Sequence, residues 1–489
     1  MSRPAVGPER EACAAAPGES PGATEESVRA PKSPPRVVLL STYDLGRQPF
    51  GLASPAAWLR RAGATVTCND LAVEPLDEPA VRSADFVALY VPMHAATRLA
   101  AREVARIRTL NRRARLGFFG LYAAMNERYL RSLGAELVAG GEFERVLAEW
   151  VLDGRRPAEV VSLERLPFIT PDRKGLPELA RYAGVDLGDG DPRAVGYTEA
   201  SRGCKHMCRH CPIVPVYQGR FRVVPREVVL ADIRQQVEAG ARHITFGDPD
   251  FWNGIGHALP IVHALHREFP ELTYDVTIKI EHLLRHAEHL ATLRETGCLF
   301  VTSAVESVDD RVLAILDKGH TRADFAAVAR RFRETGLVLH PTFVAFTPWV
   351  SLSGYVDLLQ EVQRLDLIEN VAPVQLAIRL LVPAGSRLLE LPDVRARVGA
   401  FDEVALCHPW AHPDPAVDAL HREIESMVRA ATAEGASRAL VFERACEIAE
   451  RAAGARSARN AHATRTLVPH VAREPKRPPI PFLTEPWYC

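Results

Sequence analysis

Val195-Gly-Tyr-Thr-Glu199-Ala-Ser-Arg-Gly203-Cys204-Lys-His-Met-Cys208-Arg-His-Cys211-Pro212 sets three thiols at CxxxCxxC spacing directly behind an apolar strand candidate. Three thiolates in one loop can each take one iron of a cubane and leave the fourth iron without a protein ligand. That open iron can chelate the amino and carboxylate groups of a bound cofactor. Gly203 lets the chain turn sharply into the loop, and Lys205, Arg209 and His210 bring positive charge for the thiolates. Zinc is the competing reading: structural zinc sites close with four ligands, so His206 or His210 would complete the set and the chain would be a noncatalytic zinc-binding or scaffold protein.

Working outward, the quoted strand opens a series of short apolar runs: Val195–Glu199, Arg242–Phe246, Tyr274–Ile278, Leu299–Ala304, Val338–Val344 and Val374–Leu381, with helical stretches between most pairs. Six β/α repeats predict a barrel-like sheet with its reactive groups at the C-terminal strand ends. Before it, strand candidates at Val37–Thr42, Thr65–Asn69, Phe86–Val91, Leu116–Gly120 and Glu136–Ala139 alternate with amphipathic stretches at Pro55–Ala62, Thr97–Leu110 and Asn126–Ser132. Such alternation predicts a parallel sheet covered on both faces. The expected fold is therefore α/β: a Rossmann-like doubly wound domain, a partial (β/α)6 barrel and a helical C-terminal region.

The remaining sequence sets the boundaries. Residues 1–35 are rich in Pro, Ala, Gly, Ser and Glu without apolar period and read as a disordered leader. The Rossmann-like domain then covers 36–155, a connector 156–190, the barrel 191–400, the helical region 401–460 and a Pro-rich tail without regular structure 461–489. Lys plus Arg number 60 against 61 Asp plus Glu, a balance that gives no reason to expect a nucleic acid or an anionic membrane as partner. No run approaches the roughly 18 apolar residues of a membrane span, and the leader lacks a signal-peptide core. Nine cysteines, an odd number, do not form a secreted disulfide framework. Together these features place the protein in the cytoplasm.

The cysteine loop, together with the segments downstream of it, resembles the radical S-adenosylmethionine (SAM) superfamily, whose signature is CxxxCxxC after the first strand of a partial (β/α)6 barrel. The resemblance extends over roughly residues 190–400 and has four further parts. Phe246-Gly247-Asp248-Pro249-Asp250 stands where the family has a GGE-like segment at the methionyl amino group, with Gly-Asp-Pro-Asp here in its place. Ser303-Ala-Val-Glu306-Ser307 is similar to a G-x-E-S segment whose carboxylate suits ribose hydroxyls. Leu316-Asp-Lys318-Gly319-His320 resembles a K-G turn, and Arg379-Leu-Leu-Val-Pro383-Ala-Gly385-Ser386 a loop approaching the adenine. The resemblance implies a 4Fe-4S cluster on Cys204, Cys208 and Cys211, and SAM held among Gly247, Asp248, Asp250, Glu306, Ser307 and Arg379. Lys279, ending the third strand, is placed to pair with the cofactor carboxylate. It further implies an enzyme that cleaves SAM reductively to a 5′-deoxyadenosyl radical, fed by a donor such as flavodoxin or ferredoxin, on a substrate that these residues do not name.

A Rossmann-like domain ahead of such a barrel resembles the cobalamin-binding module of one class of these enzymes. That module carries D-x-H-x-x-G after its first strand; Thr42-Tyr43-Asp44-Leu45-Gly46-Arg47-Gln48 has no histidine. Gly120, Gly140 and Gly141 fall where the module places small residues against the cofactor's nucleotide tail. Cobalamin bound without a protein imidazole, or a module that has lost it and shapes the substrate pocket, both remain open. A transfer-RNA methylthiotransferase is the alternative enzyme, but that family has three further cysteines in its first domain, where this chain has Cys68. The end, Pro481-Phe-Leu-Thr-Glu-Pro-Trp-Tyr-Cys489, resembles radical enzymes named for a CUAEP or CCAEP tail. That resemblance implies that the native chain continues past Cys489 with selenocysteine and makes Cys489 a redox candidate.

Overall fold

β1 (Arg36–Ser41) alternates its side chains between two cores, Val38 and Leu40 into one, Val37 and Leu39 into the other. A strand buried on both faces reads as an unbroken apolar run, as parallel sheets require. With β2 (Thr65–Asp70), β3 (Phe86–Tyr90), β4 (Arg115–Phe119), β5 (Leu137–Gly141) and β6 (Val161–Ser162) it forms an all-parallel sheet of order β2-β1-β3-β4-β5-β6. The computed structural model describes residues 33–457 and 480–484. Residues 1–32 of the expected leader and Cys489 lie outside them.

The second sheet begins with β7 (Gly184–Asp186), which lies antiparallel to β8 (Arg193–Thr198). After β8 the chain forms β9 (Ser201–Gly203) and β10 (Phe221–Val223), which pair antiparallel with each other and close the cysteine loop at its base. The parallel part of the second sheet continues from β8 through β11 (His243–Phe246), β12 (Thr273–Thr277), β13 (Cys298–Glu306) and β14 (Val338–Phe343), curled as an open half-barrel. With β15 (Phe482–Leu483) at its far edge, its order is β14-β13-β12-β11-β8-β7-β15.

Two expectations need correction. The segment expected as a sixth strand, Val374–Leu381, is not one: Pro373–Leu376 is a 3-10 turn, and pairing is reduced to a bridge between Phe346 and Arg379. The physical reason is that Gln375 Oε1 accepts the Phe343 N–H at 2.9 Å, satisfying the β14 edge with a side chain instead of a strand. The tail is also not wholly irregular. Its β15 returns antiparallel to β7, with the Arg438 guanidinium over the Phe482 ring at 4.5 Å.

From Pro35 onward the described chain is one unit. Arg202, on β9, joins its two sheets: the guanidinium reaches Glu142 (3.2 Å) and Glu144 (2.6 Å) after β5, and Glu199 (2.7 Å) after β8. It is framed by the rings of Phe50, Phe143 and Phe168. From the connector, Arg173 ties Gln48 to the Asp232 carboxylate at 2.7 and 2.8 Å.

Candidate active site

A cavity of about 1900 Å³ spans the C-terminal strand ends of both sheets. Cys204, Cys208 and Cys211 all face it, and among the described residues no other cysteine does. Their loop is held by geometry that only glycine provides: Gly203 has φ +73°, and a Cβ there would run into the Arg220 carbonyl across the β9–β10 ladder. Burial raises the Cys204 thiol and pushes Cys211 up to about 12, so metal binding must displace their protons.

The positive charge near the sulfurs does not come from the loop's own basic residues. Lys205 donates to Asn253 O at 2.6 Å, and Arg209 donates to Ile315 O at 2.8 Å, at the end of helix Asp310–Leu316. His210 pairs with Glu306 at 3.0 Å. Instead Lys279 Nζ lies 3.8 Å from Cys208 Sγ, and buried Lys318 feels both Cys208 and Cys211. Their positions, Lys279 after β12 and 71 residues from Cys208, Lys318 after the helix Asp310–Leu316, are a tertiary fact that spacing in the loop does not carry.

Of the other expected site residues, Gly247, Asp248, Lys279 and Glu306 line this cavity. Gly247 packs so closely on Tyr197 that a Cβ would overlap its hydroxyl. Asp248 accepts from Ala200 N at 2.9 Å and from the Ser201 hydroxyl, which fastens β11 to the start of the cysteine loop; burial pushes its carboxyl up to about 7. Glu306 sits at φ +68° where the β13–β14 register slips, an irregularity that aims its carboxylate at the cavity. Burial alone would raise that carboxyl, but Lys318 (3.3 Å) and His210 hold it at about 2, a permanent anion.

Asp250, Ser307 and Arg379 are directed elsewhere. Asp250 turns to His282, 2.7 Å away. Ser307 lines a smaller neighbouring pocket of about 280 Å³ and accepts the Asp309 N–H. Arg379 is taken by Asp418 at 2.8 Å and lies over the Trp410 ring at 3.5 Å, away from the cavity wall. The sequence marks each of these as polar at a strand end, but the partner that captures it comes from a distant segment.

On the Rossmann-like side the cavity is lined by Leu45, Met93, His94, Leu121, Tyr122 and Gly141, among others. His94 Nε2 contacts the Ala405 carbonyl at 2.5 Å. Two of the glycines expected against a nucleotide tail leave no room for a side chain: a Cβ on Gly140 would lie 2.7 Å from Ala124 Cβ, and one on Gly141 would strike the Ser162 carbonyl. Cys68 is buried in β2 with its thiol raised to about 12, an inert core residue.

Residues 198–347 match the family model described as the Radical SAM superfamily, an interval that begins at the end of β8 and closes after β14. The half-barrel is a radical SAM domain. Among curated relatives, the chain is 25% identical over 187 residues to the ribosomal protein uS12 methylthiotransferase RimO of Geobacter sulfurreducens, covering 35% of this chain and 41% of that one. A tRNA-2-methylthio-N(6)-dimethylallyladenosine synthase of Chlorobium limicola is 29% identical over 148 residues, 29% of this chain and 33% of its own. The match thus spans less than half the length of these relatives. Among solved structures, the cobalamin-dependent SAM radical enzyme OxsB, with aqua-cobalamin and SAM bound, superposes with a TM-score of 0.63 at 14% identity, over 82% of this chain and 67% of that one. The radical SAM methyltransferase TsrM of Kitasatospora setae, with cobalamin and a [4Fe-4S] cluster bound, gives 0.52 at 18% identity, over 68% and 70%. These two likenesses extend the shared fold to a Rossmann-like domain ahead of the radical SAM barrel. No helix among the described residues is long and apolar enough to cross a membrane.

Proposed function

We propose that this chain is a radical SAM enzyme that holds a 4Fe-4S cluster on Cys204, Cys208 and Cys211 and cleaves SAM reductively in the cavity they face. The observation that carries this reading is the count of three cysteines, and no fourth among the described residues, on one large cavity inside a radical SAM domain. His210 is engaged by Glu306 at 3.0 Å, which disfavours it as the fourth ligand of a Cys3His zinc site. When bound, the cluster and SAM supply one-electron cleavage to a 5′-deoxyadenosyl radical that takes hydrogen from the substrate.

The chain's own part is placement and charge. Lys279 and Lys318 lower the cost of negative charge on the cluster thiolates. Lys279 also suits the cofactor carboxylate, and the fixed Glu306 anion suits ribose hydroxyls. A small reductase such as flavodoxin or ferredoxin fits the electron-donor role.

A second group has a specific observation behind it. The cavity is about twice the upper size of an ordinary ligand pocket of roughly 1000 Å³ and continues over the first sheet's strand ends. This supports cobalamin as a further cofactor, seated against Leu45, Met93, His94 and Tyr122 without a ligand from the Asp44–Gln48 loop, and supplying methyl or cobalt-centred chemistry. Gly141 lines the same cavity, so its backbone is open to the cofactor on that side. A methylthiotransferase reading is weaker, since the first module brings no cysteine cluster. Anaerobic reconstitution tests the proposal: a brown protein with four irons per chain supports it, and a colourless protein with stoichiometric zinc overturns it. Hydroxocobalamin retained through gel filtration, with a shifted visible spectrum, supports the second cofactor; free elution refutes it.

A further inference from the structure

Beside the cysteine loop three side chains converge from three separate strand ends. His206 comes from the loop after β9, Asp250 from the turn after β11, and His282 from the helix Ile280–Arg285 after β12. Asp250 is fully buried. Its Oδ1 faces the backbone N–H groups of Trp252 (3.3 Å) and Lys279 (3.5 Å), while Oδ2 has no hydrogen-bond donor in line with it. That free oxygen points at both imidazoles, 2.7 Å from His282 Nδ1 and 3.7 Å from His206 Nε2. The His282 Nδ1 is itself without a hydrogen bond of proper geometry. The two atoms pair at 2.7 Å without the in-line geometry of a hydrogen bond, which leaves the carboxylate lone pair free to turn to an ion held between the rings.

The spacing matches a metal ion. An ion bound tetrahedrally at about 2.1 Å sets its ligand atoms roughly 3.4 Å apart. One ligand atom from each of the three lies within 4.8 Å of the other two: Asp250 Oδ2 is 3.7 Å from His206 Nε2 and, more tightly, 2.7 Å from His282 Nδ1, so an ion seated between them would draw the last pair slightly apart. Glu281 Oε2 stands 3.7 Å from the other nitrogen of His206, in the position of an outer carboxylate that fixes a ligating imidazole. Two imidazoles and one carboxylate select first-row transition ions over magnesium or calcium.

We propose that His206, Asp250 and His282 bind one divalent transition ion, zinc or ferrous iron, distinct from the cluster on the three cysteines. His206 lines the main cavity, so the ion's remaining position opens toward it and accepts water or an oxygen or nitrogen of the substrate.

The test separates this ion from the cluster. In the full chain carrying Cys204→Ser, Cys208→Ser and Cys211→Ser, cobalt(II) titration gives one ion per chain, with visible d–d bands and without thiolate charge-transfer absorption. Adding Asp250→Asn or His282→Ala weakens that binding at least about 100-fold. A triple variant with wild-type far-ultraviolet circular dichroism that shows no cobalt bands overturns the proposal, as does cobalt binding that survives both further changes. Metal analysis of the reconstituted wild-type protein gives a second readout that does not depend on how the triple variant folds. His282→Ala loses one metal per chain while the iron–sulfur absorption is unchanged; an unchanged metal count overturns the proposal. A missing cluster in wild type would refute the proposed function and leave the cobalt result standing.

Discussion

Replacing Arg202 with Met removes the guanidinium that faces two buried carboxylates and one half-buried one at the seam of the two sheets. Glu142 and Glu144 are 0% and 1% exposed and Glu199 is 16%, so none is left well hydrated. Taking one partner out of a buried ion pair costs about 3–5 kcal/mol. With contacts of 2.6 and 2.7 Å lost, the upper half of that range is expected at pH 8. Acid relieves the loss. Burial already raises Glu142 to about 7 and raises Glu199, and without Arg202 a further carboxyl takes up a proton. Each extra proton recovers about 1.4 kcal/mol per pH unit, so the deficit shrinks as pH falls from 8 toward 6. Denaturant unfolding of wild type and Arg202→Met at both pH values measures it. Because Arg202 precedes Gly203 and Cys204, iron uptake on reconstitution should fall as well. A deficit under about 1 kcal/mol at pH 8, or one that does not shrink in acid, would refute the reasoning.

Three further outcomes concern single sites. Gly203→Ala must hold a left-handed backbone, costing about 1–2 kcal/mol, and press a methyl on the Arg220 carbonyl. Reconstituted iron should fall well below four per chain while the first sheet keeps its hydrogen-exchange protection; full iron content would contradict this. Gln375→Leu strands the Phe343 N–H and should cost about 1–3 kcal/mol in denaturant unfolding; a neutral change would mean that the β14 edge is satisfied otherwise. His320 is buried beside Lys318, and burial with that charge lowers its ring to about 4. The unfolded chain therefore takes up this proton first, so stability is full above about pH 6.5 and falls as pH drops toward 4. From pH 7.5 to 5 this group alone accounts for about 2 kcal/mol, and His320→Gln should flatten the profile by that amount; a parallel profile would sink the assignment.

Legibility in the sequence tracks the range of the interactions. The first sheet reads directly because Val37 to Leu40 are apolar on both faces, a pattern that needs no knowledge of the partner strands. The cysteine loop reads for the same reason, its ligands lying within one turn of chain. Val374–Leu381 misleads because it is an apolar run with Leu376 and Leu380 buried, as a strand's would be, while Pro373 and the Gln375 side chain decide the backbone. β15 is two residues long and pairs with a strand some 300 residues earlier, which no local pattern announces. Lys318 beside the thiols, Arg379 on Trp410 and the convergence of His206, Asp250 and His282 are likewise products of the closed fold.

The proposed chemistry depends on the three thiols of the loop. The direct measurement is 5′-deoxyadenosine formed from SAM by the anaerobically reconstituted protein with a chemical reductant, compared between wild type and Cys208→Ala. Product from the wild type and none from the variant is the expected result; product at an equal rate from both, or from neither when wild type carries its full cluster, would contradict it.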